Sequence, residues 1–217
     1  WFGVVTNEFG CVIRIYLHQN NLNGSIPNSI GNFESLKDLW LFGNNLTGVV
    51  PDEIGNCVNL EDLRLRYNSI EGEIPHSIKN LTSLITLDLG SNFFTGKILH
   101  NITEMVNLET LDLWRNNFEG ELPNEFGNLN KLEWLQLGVN NFSGILPDIF
   151  SSMQNIKHLS LYQNSFAGII PDDIWKLLLD FHKSTKKNGF FDKKRKEQSL
   201  FWLHEQIGNG LKDFFYK

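Results

Sequence analysis

The sequence lacks the residue patterns that most catalytic, metal-binding and disulfide-stabilised proteins need. Its two cysteines cannot build a disulfide framework, and its six histidines show no metal-ligand spacing. No phosphate-binding glycine loop is present, and no apolar run approaches the roughly 18 residues of a membrane-spanning helix. These absences predict a protein that is not an enzyme and that has no catalytic residue, metal ion or cofactor.

Positive charge is also scarce over most of the chain. Residues 1–175 hold 9 Lys and Arg against 20 Asp and Glu, whereas residues 176–217 hold 10 against 5. The net charge of −6 therefore combines an acidic body with a basic C-terminal segment. The acidic body argues against nucleic acid as a partner, because neutralising phosphates requires a basic surface.

What the sequence does contain is a strict internal repeat of 24 residues. An asparagine recurs at that interval in seven copies, from Asn20 to Asn164, and a glycine follows four residues after each of them. All six prolines fall in one column of the repeat, from Pro27 to Pro171, and Leu99 occupies the remaining place. Seven copies in register predict a solenoid, in which each unit packs only against its neighbours.

Each copy carries an apolar set that it cannot bury alone, so the copies must stack. In the second copy we predict that seven side chains point inward: Leu36, Leu39, Leu41, Leu46, Val49, Ile54 and Cys57. The alternation in Leu39-Trp40-Leu41 is typical of a short strand, and stacked strands should form a parallel sheet with a spacing of about 4.8 Å.

Two further columns of the repeat are predicted to be structural. The asparagine of each copy should satisfy backbone groups that the turn after the strand leaves free, and should reach into a neighbouring repeat. The phenylalanines that recur in the second half of the chain continue a column of Leu and Ile and should fill the core; they are Phe94, Phe118, Phe142 and Phe166.

The stretch Leu60-Glu61-Asp62-Leu63-Arg64-Leu65-Arg66-Tyr67-Asn68, continuing to Ile74-Pro75, resembles the plant-type 24-residue leucine-rich repeat. Trp1-Phe2-Gly3-Val4 followed by Gly10-Cys11-Val12 resembles the N-terminal cap of that family. The resemblance implies an α/β-type repeat solenoid, a right-handed superhelix with a concave parallel β-sheet, an irregular or 3-10 convex side and a helical C-terminal cap. The expected domains are a cap over 1–11, seven repeats over 12–179, and a basic, partly helical cap or tail over 180–217.

The same resemblance implies a function. The family includes the ectodomains of receptor-like kinases and receptor-like proteins and the polygalacturonase-inhibiting proteins, so this chain would be a receptor-like or secreted inhibitor-like recognition module, extracellular or at the cell surface. The chain departs from the family where the cap normally has a cysteine, at Val5-Thr6, and in lacking a C-terminal cysteine pair. These departures and the basic tail leave a cytosolic interaction scaffold as the alternative.

Alternate strand residues face solvent on the inner curve of such a sheet, and here they are rich in Trp, Tyr and Arg, the residues that dominate binding hot spots. The candidate ligand-binding residues are Arg14, Tyr16, His18, Trp40, Phe42, Arg64, Arg66, Tyr67, Asp88, Asp112, Trp114, Arg115, Trp134 and Tyr162. Opposite charges alternate along this arc, so neighbouring repeats should pair some of them. The arc suits a protein or peptide ligand, with a glycan as the weaker option; the alternative is that large side chains only cover the sheet.

Two features lie outside this arc. Five sequons are candidate N-glycosylation sites in a secreted protein: Asn23, Asn45, Asn80, Asn101 and Asn141. In the tail, a basic cluster precedes apolar residues spaced by three or four, which predicts an amphipathic helix that covers the open end of the solenoid. The alternative for this segment, residues 183–215, is binding to an anionic membrane surface.

Overall fold

A computed structural model describes residues 3–177, which contain fifteen strands, numbered β1–β15 along the chain. Eight of them form the concave sheet: β1 (Val4–Thr6), β2 (Val12–Tyr16), β4 (Asp38–Trp40), β6 (Asp62–Arg64), β8 (Thr86–Asp88), β10 (Thr110–Asp112), β12 (Trp134–Gln136) and β14 (His158–Ser160). From β2 to β14 all neighbours are parallel, and β1 pairs antiparallel with β2. The predicted repeat solenoid is confirmed.

The register of this sheet follows the 24-residue repeat without a shift. Leu39 pairs with Leu63, which pairs with Leu87, and the same column continues through Leu111 and Leu135. Since successive side chains of a strand point to opposite faces, the residues on either side of each leucine are turned away from the core. Residues that are 24 positions apart therefore lie next to each other on the concave face.

The convex side consists of short ladders and 3-10 turns. The ladders are formed by β3 (Asn23–Gly24) with β5 (Asn45–Leu46), β7 (Glu71–Glu73) with β9 (Phe93–Thr95), and β11 (Glu119–Glu121) with β13 (Asn141–Ile145) and β15 (Ser165–Ala167). The five 3-10 helices are η1 (Asn28–Asn32), η2 (Asp52–Asn56), η3 (His76–Asn80), η4 (Ile98–Ile102) and η5 (Asn124–Asn128). A proline caps every one of them except η4, where Leu99 replaces proline and the helix begins earlier, after Lys97.

The core fills the space between the two sides, and the phenylalanine column is part of it. Phe94, Phe118 and Phe142 are fully buried, and their rings stack with centroid distances of 5.8 Å and 6.3 Å. Phe166 continues the stack at 6.5 Å from Phe142. The predicted role of this column in the core is confirmed.

One predicted inward position is wrong. Val49 is 53% exposed, and its neighbour Val50 is buried at 4%. The segment before each proline is extended, so its side chains alternate, and the residue directly before proline is the one that enters the core; Ile26 and Ile74 occupy the same place. The other six predicted inward residues of that copy are buried, including Cys57, whose thiol pKa is raised to about 11 by burial.

The asparagine column forms a ladder that joins each repeat to the one before it. The Asn116 side-chain oxygen accepts a hydrogen bond from the backbone N–H of Phe94 at 3.0 Å. Its amide donates to the carbonyl of Leu89 at 3.0 Å and to that of Leu113 at 3.2 Å. Asn44, Asn68, Asn92, Asn140 and Asn164 repeat this pattern. The predicted structural role of these asparagines is confirmed.

The described chain ends in a short helix at 172–177, in the last repeat. The predicted amphipathic helix and the basic segment 183–215 lie outside the described residues, as do Trp1 and Phe2. Within 3–177, no helix has the length and apolar character that crossing a membrane requires.

Candidate functional site

The concave face carries all fourteen predicted ligand-binding residues on adjacent strands or at the turns that follow them. Most of their side chains are half-buried, while Arg14, Tyr67, Arg115 and Trp134 are exposed. Two of them, Asp88 and Asp112, are almost fully buried, with 6% and 7% of their surface exposed. Together these side chains form one continuous strip, which we call the concave strip.

A left-handed residue borders this strip in every repeat. Tyr67, Ser91, Arg115 and Val139 have φ values between 52° and 59°, and Gly43 has 67° in the same column. A residue in this conformation turns the chain sharply away from the strand, which leaves its own side chain at the edge of the concave face. This turn places Tyr67 beside Arg66 and Arg115 beside Trp114, with the Arg66 guanidinium carbon 4.6 Å from the Tyr67 ring centre.

Four aromatic residues form a cluster at the N-terminal end of the strip. The Tyr16 and Trp40 ring centres lie 4.5 Å apart, and His18 stacks on Phe42 at 4.5 Å. The guanidinium of Arg64 covers the Trp40 ring at 4.9 Å. Trp40 and Phe42 are half-buried because the rings cover one another. Among the described residues, Trp40 Nε1 and His18 Nδ1 are buried without a hydrogen-bond partner.

Several charges at this end of the strip are paired, as the alternation of sign predicts. Arg14 contacts Asp38 at 2.8 Å, and the Tyr16 hydroxyl donates to the same carboxylate at 2.7 Å. Arg64 donates two hydrogen bonds to Asp62, at 2.8 Å and 2.9 Å, and these bonds raise the pKa of the guanidinium. These side chains are therefore held in fixed positions before any ligand binds.

The centre of the strip is different, because its charges are not fully paired. Asp88 and Asp112 lie on adjacent strands on either side of Gly90, and Arg66 is the cation that reaches both. Its nitrogens stand 3.6 Å from Asp88 and 3.8 Å from Asp112, beyond hydrogen-bond distance. Burial and then the neighbouring Asp112 raise the pKa of Asp88 to about 6. Burial also raises the pKa of Asp112.

We expect Asp88→Asn to stabilise the protein at pH 7.5. The Asp88 pKa is near 3.8 when unfolded and about 6 when folded, so between these values the folded chain binds more protons. The stabilisation from proton binding is complete below the unfolded pKa and is lost as the pH rises through 6. At pH 7.5 the buried charge costs at most about 3 kcal/mol, from roughly 1.4 kcal/mol per pKa unit.

Urea unfolding of wild type and Asp88→Asn at pH 7.5 and pH 4.5 measures this effect. The variant should be more stable at pH 7.5, and its advantage should shrink at pH 4.5. Asp172→Asn is the control, because Asp172 is exposed and far along the chain from the pair. An equal difference at the two pH values would contradict the expectation.

The C-terminal half of the strip is held by contacts between adjacent repeats and by one contact that skips a repeat. Tyr162 lies against Gly138, where an added Cβ would come within 2.5 Å of its ring. The Tyr162 hydroxyl accepts a hydrogen bond from Trp114 Nε1 at 2.8 Å. Trp134 stacks on His158 with ring centres 3.7 Å apart, and burial lowers the pKa of His158 to about 4, so this ring is neutral at pH 7.

Two glycines of the strip were not among the predicted site residues. Gly90 and Gly138 lie two residues after the ends of β8 and β12, in the column where other repeats carry His18, Phe42 or Trp114. Their missing side chains make room for Asp112 and for Tyr162. The sequence did contain a signal for these two positions, because each is a glycine in a column of the repeat that otherwise carries large residues. Among the described residues no group of three or more His, Cys, Asp or Glu could hold a metal ion.

The Leucine Rich Repeat family profile matches seven consecutive segments of the chain, 11–33, 35–57, 59–81, 83–105, 107–129, 131–153 and 155–177. These segments cover most of the sequence. The chain belongs to the leucine-rich-repeat family. A search of curated proteins finds no match to this leucine-rich-repeat chain.

Solved structures that resemble this leucine-rich-repeat chain include ectodomains of plant receptors. The plant peptide hormone receptor RGFR1 in complex with RGF2 is 30% identical with a TM-score of 0.72, over 76% of this chain and 27% of that one. The Arabidopsis receptor kinase HAESA, in complex with the peptide hormone IDA and the co-receptor SERK1, is 31% identical with a TM-score of 0.71, over 73% and 27%. A TDR receptor is 37% identical with a TM-score of 0.70, over 75% and 29%. This chain thus spans about a quarter of the length of each of these three proteins.

Proposed function

We propose that this leucine-rich-repeat chain is a recognition module whose concave strip binds a peptide or an extended segment of a protein. The observation that supports it most is the continuity of the strip. Aromatic rings, guanidinium groups and carboxylates lie side by side from β2 to β14, with many of them fixed by contacts to one another. A surface fixed in this way loses little conformational entropy on binding.

The chemistry of the strip indicates what such a ligand would present. The N-terminal aromatic cluster around Trp40 offers a half-buried apolar surface, which suits a large apolar side chain. The centre, around Asp88 and Asp112, is acidic. An extended peptide can present both kinds of group, and solved relatives such as RGFR1 and HAESA are described as complexes with peptide hormones. A neutral glycan could stack on the aromatic rings and donate hydroxyls to the carboxylates, but it carries no cation to balance their charge, so a peptide fits better.

The proposal is tested with Trp40→Ala/Arg64→Ala, which removes the Trp40 ring and the guanidinium that lies over it. A phage-displayed library of random peptides is panned on the wild-type chain, and the affinities of the selected peptides for each variant are measured. The double variant should bind the selected peptides at least about 100-fold more weakly than the wild type, because truncating two hot-spot residues costs several kcal/mol of binding free energy. Thermal unfolding of each variant shows whether the fold is kept.

The matched control is Phe93→Ala/Lys97→Ala, which also removes one aromatic ring and one cation. Phe93 is 56% exposed in β9, and both residues lie on the convex side. This control should keep the wild-type affinities. Undiminished binding by the folded concave variant, or an equal loss in the convex one, would remove the concave strip as the binding surface.

We further propose that the chain acts outside the cell or at its surface, as part of a receptor-like or secreted inhibitor-like protein. The five sequon asparagines lie off the concave strip, and Asn23, Asn45, Asn80 and Asn141 are exposed. Glycans at these positions would leave the strip open. The membrane-surface alternative rests on residues after 177, outside the described part of the chain, and the cytosolic scaffold rests on that segment together with the missing cysteines, including the one at Val5-Thr6.

A further inference from the structure

The centre of the concave strip holds more negative charge than its cation balances. Asp88 and Asp112 are each more than nine-tenths buried, and Arg66 stands beyond hydrogen-bond distance from both. Each carboxylate accepts one backbone hydrogen bond, from Gly90 at 3.3 Å and from Trp114 at 2.9 Å. Two buried carboxylates facing one cation leave an excess of one negative charge, which is unfavourable unless a further cation arrives.

The neighbouring strands do not supply that cation. Arg64 pairs in register with Asp88 and its charge acts to lower the Asp88 pKa, but its guanidinium donates its hydrogen bonds to Asp62 and lies over the Trp40 ring. On the other side of the pair, Arg115 extends over the Trp114 ring at 5.9 Å. The charged groups that face the pair from β6 and its following turn are therefore Asp62, Arg64 and Arg66.

The absence of a side chain at Gly90 lets both carboxylates lie close to its backbone. A Cβ added there would stand 3.1 Å from the Asp112 Oδ1 atom and 3.5 Å from the Asp88 Oδ1 atom. In the same column the neighbouring repeats carry the large side chains of Arg66 and Trp114. Gly90 thus adds no side chain of its own at the point of the strip where the negative charge is greatest.

We propose that Asp88 and Asp112, across Gly90, form the seat for one guanidinium or ammonium group of the ligand. The inference rests on the proposed function, and it specifies that the peptide presents an Arg or Lys to the middle of the strip. A guanidinium can donate to the carboxylate oxygens that Arg66 does not reach. It would also balance the excess charge of the pair.

The seat is tested with a pair of small probes that differ in charge and hardly in shape. N-acetyl-arginine amide carries a guanidinium, and N-acetyl-citrulline amide carries a neutral urea in its place. Calorimetric or NMR titration of the full chain at pH 7.5 should show binding of the arginine probe at least about tenfold tighter, as expected for a partner of a buried carboxylate. At pH 5 the arginine probe should bind more weakly, because the Asp88 pKa of about 6 leaves this group protonated.

Three substitutions define the seat further. Asp112→Asn keeps an oxygen for the Trp114 N–H but removes the charge, and should abolish the preference for the arginine probe. Gly90→Ala should weaken binding of the arginine probe by displacing the Asp112 carboxylate, since the added methyl would stand 3.1 Å from its Oδ1 atom. Arg66→Ala should strengthen binding of the arginine probe severalfold, because the cation that competes with the probe for the carboxylates is removed. Asp38→Asn is the matched control; it removes a carboxylate of the same strip that is already paired with Arg14, and should leave probe binding unchanged.

The outcomes separate this inference from the proposed function. Equal binding of both probes to the wild type, or an Asp112→Asn variant that still prefers arginine, would overturn the seat even if concave variants lose the selected peptides. Conversely, a clear arginine preference in a chain whose selected peptides bind undiminished to Trp40→Ala/Arg64→Ala would uphold the seat and remove the proposed function.

Discussion

Asn116→Ala is expected to lower the free energy of unfolding by about 3–5 kcal/mol, because it leaves several buried backbone groups without a partner. The Asn116 amide is held between two repeats: it accepts from the N–H of Phe94 and donates to the carbonyls of Leu89 and Leu113. Only 8% of the residue is exposed, so water cannot replace these bonds. Urea or thermal unfolding followed by circular dichroism measures the loss.

The adjacent residue provides the control. Asn117 is exposed on the convex side, and Asn117→Ala should change the free energy of unfolding by no more than about 0.5 kcal/mol, as for an ordinary surface substitution. If the two variants lost similar stability, the asparagine ladder would not be what joins the repeats.

Phe118→Ala is the second substitution with a large expected effect. The Phe118 ring is fully buried and stacks between Phe94 and Phe142, at 5.8 Å and 6.3 Å. Its removal opens a cavity that the rigid stack on either side cannot close, so we expect a loss of about 3–5 kcal/mol in the free energy of unfolding. Denaturant unfolding of purified variants measures this loss.

Phe93→Ala is the comparison for this substitution, since Phe93 stands one column away in the repeat and is largely exposed. It should cost less than about 1 kcal/mol, because little apolar area leaves the core. The loss in free energy of unfolding for Phe118→Leu should lie between the losses for Phe118→Ala and Phe93→Ala. A Phe118→Ala variant as stable as Phe93→Ala would show that the stacked phenylalanine rings do not stabilise the core.

The 24-residue repeat was enough to predict the solenoid. Identical residues that recur at a fixed interval are explained by equivalent units that stack on one another. Asn20 to Asn164 predicted the ladder, and the Leu-x-Leu steps predicted the parallel strands and their register. Periodicity alone did not identify Val50 as the inward residue, because Val49 and Val50 are both apolar and only the direction of the extended segment before Pro51 distinguishes them.

The candidate site could be predicted as a surface but not as a set of contacts. The repeat placed Arg64 and Arg66 on the same face, and both could have reached Asp88. Which of them does so depends on side-chain direction, since Arg64 turns to Asp62 and Trp40. The deficit of positive charge at Asp88 and Asp112 followed only from those directions, whereas Gly90 stands out in the sequence as a glycine in a column of large residues.

The parallel register of the concave sheet also sets a length scale for recognition. Six inter-strand steps separate β2 from β14, so at about 4.8 Å per step the strip is roughly 29 Å long. A fully extended chain advances about 3.3 Å per residue, and roughly nine residues would therefore run its whole length. Because the two spacings differ, a straight ligand meets a new repeat about every one and a half residues, and only some of its side chains can align with a given column.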